Sequence, residues 1–368
     1  MVDGGVAIAT GRLAAHLVRR GHHVTVLTQP PPAGLTLDAM APKQVDRLRV
    51  IYQDIQDPLT QPEAVAELSR HLQDKSQSGP FDVLLAYFVY PSGYLATRLG
   101  EELDVPVVCS CRGNDISKEM FIDPQTLSWV LDQSTHLLFV SASLLDMAHT
   151  LTPCRHKATV VDNSVDGEAF RVLRNPGLRG HEPVRLGTSG VMRWKKGLDL
   201  LLPLVRELAQ THEIEFHIAG YGLDDQVDHQ IASFVHELDL APCVRLLGPL
   251  PHHRMAESLN AMDIYVTASY QEGMPNGVLE AMACALPVVA TAVDAVPRLV
   301  QDGRTGYLCP PGDLQGLTQR CRELIEQPEL RRRLGAAGRE RVLQAFRPEH
   351  EADAIEAVLV SAATRRAI

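Results

Sequence analysis

Short apolar runs alternate with amphipathic segments of helical period along this 368-residue chain, and few architectures accept that alternation. In the first half the strand candidates are HVTVL (23–27), DVLLA (82–86), PVVCS (106–110), LLFVS (137–141) and TVVD (159–162). In the second half they are VRLGTSG (184–190), EFHIAG (215–220), VRLLG (244–248), DIYVTAS (263–269) and PVVAT (287–291). Helical segments such as 62–73, 92–103 and 143–151 lie between them. Strands apolar on both faces and separated by helices predict parallel sheets covered on both sides. At roughly 150 residues per domain the length suits two such cores. Residues 171–183, RVLRNPGLRGHEP, are rich in Pro, Gly and charge without periodicity, and read as a linker. The expectation is an α/β chain of two doubly wound domains facing each other across a cleft. Ligands in such domains sit beyond the carboxyl ends of the strands.

Charge narrows the partners. Lys and Arg number 35 against 45 Asp and Glu, a net charge of −10, which argues against a nucleic-acid binder. The first 170 residues hold 13 basic and 20 acidic side chains, which leaves room for a weak peripheral membrane contact at most. No apolar run approaches the ~18 residues of a membrane-spanning helix, and the start has no signal-peptide order. Seven Cys without a Cys-x-x-Cys pair suit a reducing cytoplasm better than a disulfide framework or zinc cage.

The most informative stretch is ASYQEGMPNGVLEAMACALPVVAT, 268–291. A strand ends near Ser269, a loop carries Glu272 and Gly273, and Pro275 opens a helix running to about Ala285. The first amides, at Asn276, Gly277 and Val278, offer unpaired donors and a positive dipole end to an anion. Glu272 precedes that anion site and Glu280 follows it by eight residues, and carboxylates suit vicinal hydroxyls of a sugar and a ribose. On spacing alone, two solvated glutamates explain the pair as well. Residues 190–197, GVMRWKKG, bring Arg193, Lys195 and Lys196 to a strand end and helix start. Cations there oppose the helix dipole unless an anion visits, although a plain basic loop is the alternative.

The whole string resembles the carboxyl-terminal signature of family 4 retaining glycosyltransferases of the GT-B fold, also called glycosyl transferases group 1. That signature reads E-G-x-P-N-x-x-x-E-A-M-A-x-G-x-P-V-V, and only its second Gly is changed here, to Ala285. The likeness extends to FHIAGYG (216–222), VRLLGPL (244–250), DGRTGYLCPPGD (302–313), RRGHHVTVLT (19–28), CRGNDI (111–116) and VDNSVDGEAF (161–170). It implies two Rossmann-like domains. An acceptor-binding domain would span 1–170, with a final helix at 349–364 packing back on it, and a donor-binding domain 171–347. It also implies that Glu272 holds donor-sugar hydroxyls and Glu280 the ribose of a nucleoside diphosphate sugar. Lys196 stands at the family's Lys-Gly position. The family's usual Arg directly after the Gly is Val191 here, and its task falls to Arg193. Gly190 and Gly220 would approach the nucleotide, and Gly5, after Gly4, would belong to the glycine loop of the first domain.

Arg112 and Asp115 follow the strand 106–110; they either touch donor or acceptor or form a structural loop bridge. Tyr87 to Gly93 line the neighbouring strand end, as acceptor-sorting aromatics or a buried cluster. His252 and His253 lack a third ligand at any metal spacing and read as solvated. No Asp-x-Asp occurs, so a metal-free mechanism with no cofactor beyond the donor is expected.

The activity implied is transfer of a glycosyl group from a nucleoside diphosphate sugar to an acceptor hydroxyl on a glycan, lipid-linked or small molecule, with the anomeric configuration retained. It would serve polysaccharide or glycolipid biosynthesis. Two alternatives share the fold: a nucleotide-sugar 2-epimerase and a non-catalytic nucleotide-sugar-binding subunit. A dehydrogenase is disfavoured because the third glycine of GxGxxG is Asp225. One further expectation concerns the start. Only Met1 to Asp3 precede Gly4, too few for the central first strand of such a domain, so the chain is expected to lack that strand upstream of Met1, between 23–27 and 82–86.

Overall fold

The computed structural model describes residues 5–29, 47–73, 80–173, 183–222 and 224–364. The chain divides into two compact units, residues 1–162 with 348–368 and residues 163–347.

In the first unit, β3 (Leu84–Tyr87), β4 (Val107–Cys111), β5 (His136–Phe139) and β6 (Ala158–Val160) form a parallel sheet in chain order. β1 (Val24–Thr28) and β2 (Leu48–Tyr52) form a separate parallel pair. Among the described residues β1 and β3 share no ladder. β4 reads VVCSC and is buried at every position, as expected for a strand covered on both faces. One cover is the helix Gly5–Arg19 with the final helix Pro348–Thr364, whose Leu13, Ile355 and Leu359 pack on Val108 and Leu138. On that interface Glu356 accepts from His22 over 2.8 Å and lies 3.3 Å from His16. Another cluster joins Val65, Leu68 and Leu72 of the helix Pro62–Gln73 to Leu95 and Leu99 of the helix Tyr94–Leu103. Leu27, Ile51 and Leu84 pack against it, so β1 and β2 are held by side chains.

The second unit is a six-stranded parallel sheet in the order β12-β11-β10-β7-β8-β9. Its strands are β7 (Val184–Met192), β8 (Ile214–Gly222), β9 (Val244–Gly248), β10 (Ile264–Thr267), β11 (Val288–Thr291) and β12 (Gly306–Cys309). Chain order runs outward from β7 to one edge, then from β10 to the other, which is the doubly wound Rossmann order. The direction reverses between β7 and β10. A crevice therefore opens beyond their carboxyl ends, where loops 193–197 and 268–275 emerge.

Two strands, β2 and β12, were not expected from the sequence. Residues 163–170, expected at the end of the first domain, pack with the second unit. Val165 N–H donates to Phe346 O over 2.9 Å, and Arg339 Nη1 donates to Phe170 O over 3.1 Å. Most of the expected linker, 174–182, lies outside the described residues, as do Met1 to Gly4.

Candidate active site

The crevice of the second unit collects the charge. After β7 the chain makes a short turn, Trp194–Lys196, and enters the helix Leu198–Ala209 through Gly197 at φ 69°. A Cβ on Gly197 would sit 2.1 Å from Ala268 O, so only glycine lets this turn lie against the end of β10. Tyr270 N–H donates to Lys195 O over 2.8 Å, tying the second loop to the first.

That contact sets the central pair. Lys196 Nζ donates to Glu272 Oε1 over 2.6 Å, and Ser269 Oγ donates to the same oxygen over 2.8 Å. Asp294 Oδ2 accepts from the Glu272 backbone amide over 2.7 Å. Burial alone would raise the Glu272 carboxyl, but the Lys196 charge and its hydrogen bond outweigh it and hold the carboxyl below its ordinary value. Burial likewise opposes the charge on Lys196, and Glu272 reverses that, so Lys196 is raised. Lys195 is held low by burial, which Glu272 only partly offsets. Arg193 places a buried Nε in the same loop with no partner among the described residues.

The helix Asn276–Ala283 starts beside this pair, its N-cap Pro275 providing no side-chain cap. The Val278 amide, expected with those of Asn276 and Gly277 to face an anion, turns back on its own loop. Its N–H donates to Pro275 O over 3.2 Å in a tight first turn. A Cβ on Gly277 would meet Tyr265 Oη at 2.5 Å and Ser189 Oγ at 2.8 Å, which explains the glycine. Asn163 anchors the loop, its Nδ2 donating to Met274 O over 2.9 Å and to Asn276 Oδ1 over 3.0 Å. Glu280, one turn into the helix, has Oε1 3.4 Å from Nε2 of His252, so His252 is not merely a solvated side chain. Gly190 and Gly220 are register partners on β7 and β8, and a Cβ on Gly220 would strike Gly190 O at 1.9 Å.

The remaining candidates lie in the first unit. Arg112, at the end of β4, lies over the Tyr87 ring at 5.3 Å with Nη1 3.8 Å from Glu351. Asp115 does not bridge to the Arg112 guanidinium. Its Oδ1 accepts from the amides of Gly113 (2.7 Å) and Arg112 (3.0 Å), and its Oδ2 from Val89 (3.1 Å). Burial nevertheless holds this carboxyl above its ordinary value. Its contacts are those of a loop organiser. Tyr87 is pushed up to about 12 by burial. Gly5 is the first residue of the helix Gly5–Arg19.

Asn163, Asp294, Ser269 and His252 escaped the sequence reading of the site. Asn163 and Ser269 carried a signal, since they lie within the family-like strings 161–170 and 268–291.

Among the described residues no helix is long and apolar enough to cross a membrane. The sequence matches the family "Glycosyl transferases group 1" over residues 183–327 and the "Glycosyl transferase 4-like domain" over residues 4–186. It is 25% identical over 368 residues to N-acetyl-alpha-D-glucosaminyl L-malate synthase of Bacillus anthracis, covering 94% of this chain and 91% of that one. Its fold matches sucrose-phosphate synthase of Thermosynechococcus elongatus with a TM-score of 0.79 at 19% identity, over 97% of this chain and 93% of that one. It also matches Anabaena HepE in complex with UDP-glucose, with a TM-score of 0.80 at 18% identity, over 97% and 96% of the two chains. With two Rossmann-like units and matches running from residue 4 to residue 327, the chain belongs to the group 1 glycosyltransferases of the GT-B fold.

Proposed function

We propose that this glycosyltransferase moves a sugar from a uridine diphosphate sugar to an acceptor hydroxyl, with retention and without a divalent ion. The observation that carries the reading is the Lys196–Glu272 pair at the switch point, beside a helix start with no side-chain cap. A diphosphate needs cations and free amides, and a sugar needs a fixed acceptor of hydrogen bonds; one crevice holds all three. Uridine is favoured because HepE is a fold neighbour in complexes with UDP and UDP-glucose.

In this mechanism the acceptor oxygen attacks the anomeric carbon on the face the diphosphate leaves. The C1–O bond to phosphate breaks with its electron pair going to the diphosphate, and the acceptor proton passes to a departing phosphate oxygen. Lys196 keeps N–H groups beyond the one given to Glu272, and with Arg193 and the amides of Asn276 and Gly277 it stabilises the growing phosphate charge. Glu272 holds the sugar hydroxyls and Glu280 the ribose. Positioning and charge stabilisation supply most of the rate, with no metal or cofactor taking part. The seven free cysteines suit the reducing cytoplasm as the working compartment.

A thermal-shift panel of UDP, GDP and ADP in excess chelator tests this. A diphosphate at 100 times its dissociation constant adds about 2.7 kcal/mol. UDP should shift the protein most, and no shift without added magnesium would overturn the metal-free reading.

A further inference from the structure

We propose that His252 is the positioning residue for Glu280 and thereby sets the preference of the donor site for a ribose carrying its free hydroxyls. This rests on the assignment of Glu280 to the ribose made above.

Glu280 differs from Glu272 in how it is held. Glu272 has Lys196 and Ser269 on one oxygen and a backbone amide fixed by Asp294. Among the described residues the Glu280 carboxylate has one polar partner, Nε2 of His252 at 3.4 Å from Oε1. An unheld glutamate side chain loses rotamer freedom on ordering, a cost that ligand binding would otherwise carry. A contact to one oxygen fixes the carboxylate and leaves the other oxygen for a hydroxyl.

His252 is itself held for that task. It opens the helix His252–Asn260 directly after Pro251, the N-cap. Its ring meets Phe170 edge-on, with centroids 5.2 Å apart and planes at 78°. Phe170 is buried, and its carbonyl accepts from Arg339 Nη1, so the backbone behind that ring is anchored. Phe170 therefore sets the plane of the imidazole. Nε2 of that ring faces Oε1 of Glu280 over 3.4 Å, where a ring N–H can orient the carboxylate. A carboxylate oxygen is a strong acceptor for a hydroxyl.

Affinities of UDP and its 2′,3′-dideoxy analogue, measured by calorimetry, test this in four proteins. Wild-type protein should prefer UDP at least about tenfold, the value of one charge-assisted hydrogen bond. Glu280→Ala should abolish the preference. His252→Ala should cut it to within about threefold while dideoxy-UDP binds as before, and His252→Gln, which restores an N–H donor, should recover most of it. If Glu280→Ala keeps the preference, the ribose assignment is wrong and the proposal falls with it. If Glu280→Ala loses the preference while His252→Ala keeps it, the ribose assignment stands and the role of His252 is overturned. Equal weakening of both nucleotides by His252→Ala would also overturn it, as that is the mark of a structural residue.

Discussion

Lys196 and Glu272 lie 76 residues apart in the chain and 2.6 Å apart in space, joining the loops after β7 and β10 at the reversal of strand order. The Glu272 side chain is only 9% exposed, so its charge depends on Lys196. Lys196→Ala should therefore cost about 3 kcal/mol, the scale for stranding one member of a buried pair. The double variant Lys196→Met with Glu272→Leu should recover most of that stability while remaining inactive. Chemical denaturation and donor turnover measured on both variants check this. If the single and double variants are equally stable, the pair is an ordinary surface contact.

The same pair fixes a pH window. Glu272 is lowered by its partner, so its contribution is present above the unfolded value near 4.3 and is lost as pH falls through its lower native value. Lys196 is raised, so its contribution is present below about 10.4 and is lost as pH climbs through its higher native value. The stability difference between wild type and the Met/Leu double variant should be flat from roughly pH 5 to 10 and change outside it. Melting curves at stepped pH read this directly, and a slope near neutrality would contradict it.

Ala285 occupies a glycine position in backbone as well as in motif. Its φ is 59°, its N–H donates to Met282 O, and Leu286 N–H reaches back to Ala281 O, closing the Schellman end of the helix Asn276–Ala283. A left-handed alanine costs about 1–2 kcal/mol, part of which glycine returns through its freer unfolded state. Ala285→Gly should stabilise the protein by about 0.5–1 kcal/mol with activity unchanged, as read by denaturant midpoint. A destabilised variant would mean the buried methyl matters more than the backbone.

Asp115 makes a different prediction. Replacing it with Asn turns one carboxylate oxygen into a donor facing a backbone N–H. Asp115→Asn should cost about 1–3 kcal/mol, because a buried amide loses its partner. Unchanged stability would mean that this loop is held by other contacts.

Much of the fold was legible because parallel strands buried on both faces leave unbroken apolar runs, as VVCSC in β4 shows. β2 and β12 were not, for separate reasons. LRVIY in β2 mixes an exposed Val50 and Tyr52 into its pattern, and GYLC in β12 is four residues long at a sheet edge. The motif residues Lys196, Glu272 and Glu280 stood out through one contiguous string and one basic loop. Their supports did not. Asn163 holds Asn276 across 113 residues of chain, and His252 and Asp294 reach their glutamates from other elements, so no local spacing records them. That the Val278 amide turns back on Pro275 O was not legible either, because sequence does not reveal how tightly a first helical turn closes.

Titration of UDP in excess chelator against wild type, Glu280→Ala and Glu272→Ala tests the central assignment most directly. Wild type should bind, Glu280→Ala should bind at least about tenfold more weakly, and Glu272→Ala should remain within about threefold of wild type. Binding that requires added magnesium, or a loss confined to Glu272→Ala, would contradict the account.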